Sequence, residues 1–148
     1  MKATLPVLSS IYERAVFFDT SALEAVADPQ DQYHQAAAEC LAALHKANYP
    51  FNATILTVAE THRRLLYKRK LGIRPALRFL EAMYDGSTNI IGLAEEDAQQ
   101  ALEYVRRFKD QDLTFTDTIN MAVMCRVGLR TVFSFDWHFT LLGFQKIP

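Results

Sequence analysis

The sequence predicts an α/β sandwich built around a mostly parallel sheet of four or five strands. Three observations support this fold class. Short apolar runs alternate along the chain with longer segments whose apolar residues recur at helical spacing. The chain has 148 residues, half of them hydrophobic and 22% charged, which suits one hydrophobic core. No repeat, low-complexity tract or linker-like segment interrupts the sequence, so we expect a single folded domain.

The first predicted strand covers residues 15–19, AVFFD, and leads directly into a helix. Ser21 and Glu24 have the spacing of a capping box, in which each side chain bonds the other residue's backbone at a helix start. Asp28 and the proline after it predict the start of a second helix, which continues to about Lys46.

A second strand is predicted at residues 51–56, FNATIL, and Thr57 with Glu60 forms a second capping box. The helix that follows should end before Gly72, because glycine favours a helix end. A further helix begins near Pro75 and ends at an Asp-Gly pair.

The second half of the chain continues the alternation. Predicted strands at residues 89–93 and 130–135 flank two helices, an amphipathic one over 94–109 and an apolar one over 115–127. Residues 144–147 are the candidate for a fifth strand. In parallel sheets of this kind, binding and catalytic sites form at the carboxyl ends of the strands.

Overall charge and the two cysteines exclude some classes of protein. The formal net charge is −1, so binding to nucleic acid would need a local basic patch. No apolar run is long enough to span a membrane, and the N-terminus lacks the apolar core of a signal peptide. Cys40 and Cys125 have no metal-type spacing, and we expect two buried thiols in a cytoplasmic protein.

Four carboxylates occupy junctions between strands and helices. Asp19 and Asp136 end predicted strands, and Glu60 and Asp117 fall in the first turns of predicted helices. If these junctions meet at one edge of the sheet, four negative charges share a small volume and raise one another's pKa. Magnesium or manganese, hard cations that prefer oxygen ligands, would relieve this repulsion.

Each carboxylate also has a purely structural explanation. Glu60 could complete its capping box and pair with Arg64, one turn later. Asp19 could cap the helix after the first strand, and Asp136 could be a turn residue.

Asp117 could be a helix-start acid three residues after Thr114. The helix around it is apolar on nearly all sides, however, which predicts a buried position. A carboxylate and Asn120 at the start of a buried helix both need partners in the interior.

The segments around these acids are FDTSAL (18–23), VAET (58–61), DLTFTD (112–117) and FSFDWHF (133–139). In order and spacing they resemble the motifs of the PIN domain superfamily, and most closely those of VapC-like ribonuclease toxins of prokaryotic toxin–antitoxin pairs. The resemblance covers roughly residues 15–148, which we assign to the PIN domain, and residues 1–14 form an N-terminal extension.

The resemblance implies a three-layer α/β/α sandwich, frequent homodimers, and a Mg²⁺- or Mn²⁺-dependent ribonuclease that leaves a 3′-hydroxyl and a 5′-phosphate. The catalytic and metal-site acids that it implies are Asp19, Glu60, Asp117 and Asp136, with the first and third as the direct ligands. Trp137-His138 departs from the family, which commonly has a basic or polar pair there.

Several polar residues near the acids are candidate contacts to substrate. Thr20 or Ser21 matches the family's hydroxyl position after the first aspartate, and Ser134 matches a polar position before the last. Residues 62–78 hold seven of the chain's sixteen basic residues and no acid, as RNA phosphate contacts would require. A solvated helix face or an acidic partner would explain that cluster equally well. The substrate candidates are Thr20, Ser21, Arg64, Asn120 and Ser134.

We therefore predict a divalent-metal-dependent ribonuclease that is the toxin of a type II toxin–antitoxin pair, with a cognate antitoxin as candidate partner. The alternatives are a non-cleaving PIN-like module that binds RNA or protein, and a solitary RNA-processing nuclease. A degenerate module usually lacks one or more acids, and this chain has all four. A DNA- or flap-cleaving nuclease is disfavoured because no insertion for a helical arch is visible.

Overall fold

The computed structural model describes residues 14–148, so the predicted N-terminal extension lies outside the described residues except for Arg14. Five strands form one sheet in the order β3-β2-β1-β4-β5, and every neighbouring pair is parallel. The strands are β1 Val16–Phe18, β2 Phe51–Thr54, β3 Thr88–Ile91, β4 Thr131–Phe133 and β5 Gln145–Ile147. The predicted parallel sheet is confirmed, with the fifth strand present.

Helices cover both faces of this sheet. They are α1 Thr20–Ala27, α2 His34–Lys46, α3 Ile55–Tyr67, α4 Ile73–Met83, α5 Glu95–Arg107, α6 Phe115–Val127 and a 3₁₀ helix, Trp137–Leu142. Val16 and Phe18 point into a core formed with α1 to α4, whereas Phe17 points into a second core formed with α6 and the 3₁₀ helix. Alternate residues of one strand thus reach opposite faces, and the α/β/α sandwich is confirmed.

The chain runs from β1 through β2 to β3 on one side of the sheet and then returns to β4 on the other side of β1. The carboxyl ends of β1 and β4 are therefore the point where strand order reverses, which is where open α/β sheets bind ligands. Phe18 pairs with Phe133 in the register of these two strands. Asp19 and Ser134 consequently emerge side by side.

Both predicted capping boxes are wrong. The cap of α1 is Asp19, whose carboxylate accepts the Ser21 N–H, and the cap of α3 is Thr54, whose hydroxyl accepts the Thr57 N–H. In each case the helix follows the strand without a loop, so the last extended residue has to provide the cap. Glu24 and Thr57 are free for other contacts.

The second helix begins later than Asp28 predicts. The Asp28 carboxylate accepts the Gln30 N–H at 2.9 Å, and the Asp31 carboxylate accepts the Tyr33 N–H at 2.7 Å. Two successive aspartate turns of this kind take the place of the first helical turn, and α2 begins at His34.

Two further sequence expectations concern the cysteines and the helices. Cys40 is half-buried and Cys125 is exposed, so the expected burial of both thiols is wrong. None of the helices formed by residues 14–148 has the length and apolar character needed to cross a membrane.

Candidate active site

An open cavity of about 190 Å³ lies at the carboxyl ends of β1 and β4. All four predicted acids line it: Asp19 after β1, Asp117 in the first turn of α6, Asp136 after β4, and Glu60 from within α3. Glu60 lies in the second turn of α3 and not in the first as predicted, because that helix begins at Ile55. Thr20, Ser21, Glu24, Arg64 and Thr114 complete its lining. We call it the acid cavity.

Asp19 is the most deeply placed of the four acids, with 3% of its surface exposed. Its Oδ2 accepts hydrogen bonds from the hydroxyls of Ser21 and Ser134, each at 2.8 Å. Both serines bond the same oxygen, so neither of them uses Oδ1. The pKa of Asp19 is raised to about 6, chiefly by burial and to a smaller extent by the nearby charge of Asp117, against the lowering effect of the hydrogen bonds from Ser134 and Ser21.

The two serines also fix the chain that follows β4. Ser21 Oγ accepts the Phe135 N–H at 3.0 Å, and Ser134 Oγ accepts the Asp136 N–H at 2.9 Å. Ser134 is fully buried, so it positions Asp19 and Asp136 and does not reach a substrate. The structure thus replaces the substrate contact expected of Ser134 with a positioning role. Ser21 lines the cavity and combines that role with partial exposure.

Thr20, the first residue of α1, connects that helix to Glu60. Its hydroxyl donates to Glu60 Oε2 at 3.3 Å, which orients the Glu60 carboxylate toward the start of α1. Thr20 itself is buried, although it lines the acid cavity. The hydroxyl that we expected to meet substrate is therefore directed at Glu60.

Asp117 lies in the first turn of α6, where the cap residue Thr114 accepts its N–H at 3.1 Å. Burial raises the pKa of Asp117, and the negative charges of Asp136 and Glu60 act in the same direction, against hydrogen bonding from Thr114. A carboxylate whose charge is opposed both by burial and by two other acids is stabilised by a bound cation.

Asp136 caps the 3₁₀ helix through its side chain. Its Oδ1 accepts the His138 N–H at 3.0 Å and also lies close to His138 Nδ1. His138 therefore contacts one of the four acids and lies at the edge of the acid cavity.

Asn120 is fully buried and does not line the acid cavity. Its Oδ1 accepts from the Thr54 hydroxyl at 2.6 Å, and its Nδ2 donates to the Thr57 hydroxyl at 2.9 Å. These bonds join α6 to the β2–α3 junction. The expectation that Asn120 contacts substrate is corrected by this burial, because both ends of its amide already bond protein groups.

Arg64 pairs with Glu24 and not with Glu60, which removes one structural explanation of Glu60. Glu24 is 3% exposed, and its carboxylate also lies 3.6 Å from Arg69. Arg69 pairs in addition with Asp28 at 3.4 Å and with Asp31 at 2.7 Å. Glu24 is thus a fifth carboxylate of the cavity that sequence reasoning missed. Its position four residues after Thr20, on the same face of α1, was the available signal.

The donors of the acid cavity suit a hydrated divalent cation. Within residues 14–148, no three acidic, histidine or cysteine side chains form a ready-made metal cluster. Mg²⁺ does not need one, since it keeps several waters and commonly uses one or two carboxylates. Asp19 provides a buried carboxylate with one oxygen unused by the serines, and Asp117 a second whose charge needs compensation. The cavity's basic side chain, Arg64, is engaged by Glu24.

Comparison with known proteins identifies the family. The PIN domain model matches residues 16–145. Ribonuclease VapC26 of Mycobacterium tuberculosis is 27% identical over 128 residues, which cover 86% of this chain and 91% of that protein. The 23S rRNA-specific endonuclease VapC20 of the same organism is 24% identical over 132 residues, which cover 89% of this chain and 97% of VapC20.

Solved structures give the same result. The crystal structure of M. tuberculosis VapC20, a sarcin-ricin loop cleaving toxin, superposes with a TM-score of 0.76 at 25% identity and covers 88% of this chain and 96% of its own. FitAcB from Neisseria gonorrhoeae shares the fold, with a TM-score of 0.63 at 15% identity and coverage of 90% and 96%. The predicted resemblance is confirmed, since the family match spans nearly all of the described structure: the chain belongs to the PIN domain family.

Proposed function

We propose that this chain is a divalent-metal-dependent endoribonuclease of the VapC type. The observation that carries the proposal is the convergence of Asp19, Glu60, Asp117 and Asp136 on one cavity at the point where strand order reverses. Relatives named as a ribonuclease and a 23S rRNA-specific endonuclease support the same chemistry.

In this proposal Asp19 and Asp117 bind the cation directly, and Glu60 and Asp136 add negative charge around it. A bound Mg²⁺ or Mn²⁺ would supply a water of lowered pKa and neutralise charge on the scissile phosphodiester. Ser21 and Ser134 keep Asp19 in place through hydrogen bonds to a single oxygen. The products expected from the family are a 3′-hydroxyl and a 5′-phosphate.

Arg64 is the best-placed residue to contact a phosphate. Its Nε bonds Glu24, which holds the guanidinium at the wall of the acid cavity. The guanidinium has four further N–H donors on Nη1 and Nη2, a geometry suited to phosphate oxygens. Arg64 would orient the RNA backbone beside the acids.

Substitution of the two direct ligands tests the function. Asp19→Asn and Asp117→Asn should abolish cleavage of RNA in Mn²⁺ or Mg²⁺, whereas the exposed Asp110→Asn serves as the matched control and should cleave normally. A sarcin-ricin loop RNA is a suitable first substrate, given the relatives. Circular dichroism establishes that each variant is folded. Equal cleavage by wild type and both ligand variants would overturn the proposal, and calorimetry showing no binding of Mn²⁺ would favour a non-cleaving module.

We also propose a homodimer and a cognate antitoxin as partners, and action in the cytoplasm, where the RNA substrate is found. Tyr67, Ile73 and Leu77 are 72%, 79% and 50% exposed around the α3–α4 connection, a concentration of large apolar side chains that supports a protein interface. Light scattering on the purified protein tests for the dimer. A small neighbouring gene for a DNA-binding protein, and co-purification with its product, would support the antitoxin.

A further inference from the structure

A second cavity, of about 290 Å³, opens beside the acid cavity. The two share Ser21, Glu24, Arg64 and Asp136 as lining residues. A group bound in one is therefore a direct neighbour of a group bound in the other. We call the second the aromatic cavity, because Tyr33, Phe135 and Trp137 also line it.

The aromatic side chains of this cavity are supported from within the protein. Tyr33 stacks on Phe135, with ring centroids 4.5 Å apart and planes 6° from parallel. Trp137 stacks on His138 at 4.5 Å. Tyr33 is 43% exposed and Trp137 52% exposed, so both rings offer surface to a ligand while packing limits their motion. Exposed aromatic rings held in this way form a platform for planar groups.

The charged residues at the aromatic cavity belong to one ion-pair network with an excess of carboxylates. Arg69 lies within 3.6 Å of carboxylate oxygens from Glu24, Asp28 and Asp31, and Arg64 pairs with Glu24. The carboxylates outnumber the arginines in this network, so it does not attract a second phosphate. The cavity is better suited to an uncharged, flat group.

We propose that the aromatic cavity binds a nucleobase of the RNA, next to the scissile phosphate, by stacking on Tyr33 and Trp137. This inference rests on the proposed function, which places that phosphate in the acid cavity, and it adds a site that fixes the register of the RNA strand. Every nucleobase has a π-face, so stacking positions the strand. Differences in stacking strength then give a preference among bases.

Cleavage kinetics with abasic RNA test the inference. Trp137→Ala and Tyr33→Ala should each lower kcat/KM about 5- to 150-fold on intact RNA, the range expected for loss of one base–aromatic stack. On RNA that lacks the base at one position flanking the cut, wild type and variants should cleave at similar rates, because no base is present to stack. Tyr84→Ala removes a 56% exposed tyrosine outside the cavity and should have no effect.

Fluorescence provides a readout independent of catalysis. Trp137 is the single tryptophan of the chain, so its emission reports directly on the aromatic cavity. In the Asp117→Asn variant, intact RNA oligonucleotides should quench this emission at lower concentration than oligonucleotides with the abasic position. Binding can thus be measured even if the proposed cleavage fails, which separates the two proposals.

Four results would overturn the inference. One is full activity of the variants on intact RNA, and a second is loss of the same factor on intact and abasic RNA, which would indicate a structural role. Quenching that does not distinguish intact from abasic RNA would exclude a nucleobase as the ligand. Unchanged RNA kinetics together with loss of binding to a protein partner would identify the aromatic cavity as a protein-docking site instead.

Discussion

The buried charge of Asp19 should make the metal-free protein less stable at neutral pH. Burial raises the pKa of this carboxyl from 3.8 to about 6, so the folded chain holds the proton more tightly than the unfolded chain. The resulting contribution to stability is complete below about pH 4 and is lost as the pH rises through about 6. The difference between the two pKa values corresponds to about 3 kcal/mol of unfolding free energy.

Asp19→Asn removes that charge and keeps an oxygen that can accept the bonds from Ser21 and Ser134. Without metal at pH 7.5, the variant should therefore be more stable than wild type, by up to about 3 kcal/mol. At pH 4 the advantage should disappear, because wild-type Asp19 is then largely protonated when folded. Added Mn²⁺ should stabilise wild type but not the variant, since only wild type has the charged ligand.

Urea denaturation followed by circular dichroism, in EDTA and at several pH values between 4 and 8, measures these differences. Carboxyl groups outside the acid cavity titrate equally in both proteins and cancel in the comparison. Asp117 does not cancel fully, because it loses a repulsive neighbour in the variant, which adds to the expected gain in stability. Asp85→Asn is an informative control, because hydrogen bonds from Ser87 lower the pKa of Asp85 and no gain in stability is expected. A variant less stable than wild type at pH 7.5 in EDTA, or a stability difference that does not vary with pH, would show that the buried charge of Asp19 does not destabilise the protein.

Three further predictions concern metal, Asn120 and Arg69. RNA cleavage should stop in EDTA and return with Mn²⁺. It should also fall at low pH, because a proton on Asp19 competes with the cation. The pKa of about 6 belongs to the metal-free protein, so the pH midpoint of cleavage should lie below 6 at high Mn²⁺ and approach it as Mn²⁺ is lowered, and a rate that increases as the pH falls would contradict the assignment. Asn120→Ala should lower the free energy of unfolding by about 2 kcal/mol, because the Thr54 and Thr57 hydroxyls lose partners, while Mn²⁺ binding by calorimetry persists. Arg69→Ala should lower the free energy of unfolding by about 2–3 kcal/mol, because Glu24, Asp28 and Asp31 lose the arginine that they share. This loss is somewhat smaller than for a fully buried ion pair. Unchanged urea midpoints for the last two variants would refute these roles.

The sequence was informative wherever a residue's position along the chain determined its position in space. Asp19 and Asp136 were identified because residues that follow parallel strands meet at one edge of a sheet, and β1 lies beside β4. The C-terminal end of α6 could also be predicted from the sequence, because Gly128 adopts the left-handed conformation that glycine allows.

Side chains with several possible partners could not be assigned in this way. The spacing of Ser21 and Glu24 fits a capping box, but Asp19 provides the cap and Glu24 bonds arginines that are distant in sequence. Asn120 looked like a site residue because it follows Asp117 by three positions. Its partners on β2 and α3 were decided by how the helices pack, which local spacing does not encode.

The hydrogen bond between Asp19 and Ser134 has a consequence for protein synthesis. The two residues are separated by 115 positions, and β4 joins the sheet beside the central strand β1 only after β1, β2 and β3 have been made. A nascent chain that has emerged no further than α6 lacks both Ser134 and Asp136, and its Asp19 has no support from β4. A ribosome making this protein would therefore carry an incomplete nuclease until the fourth strand leaves the exit tunnel. The strand order would thus keep the acid cavity incomplete until most of the chain has been synthesised.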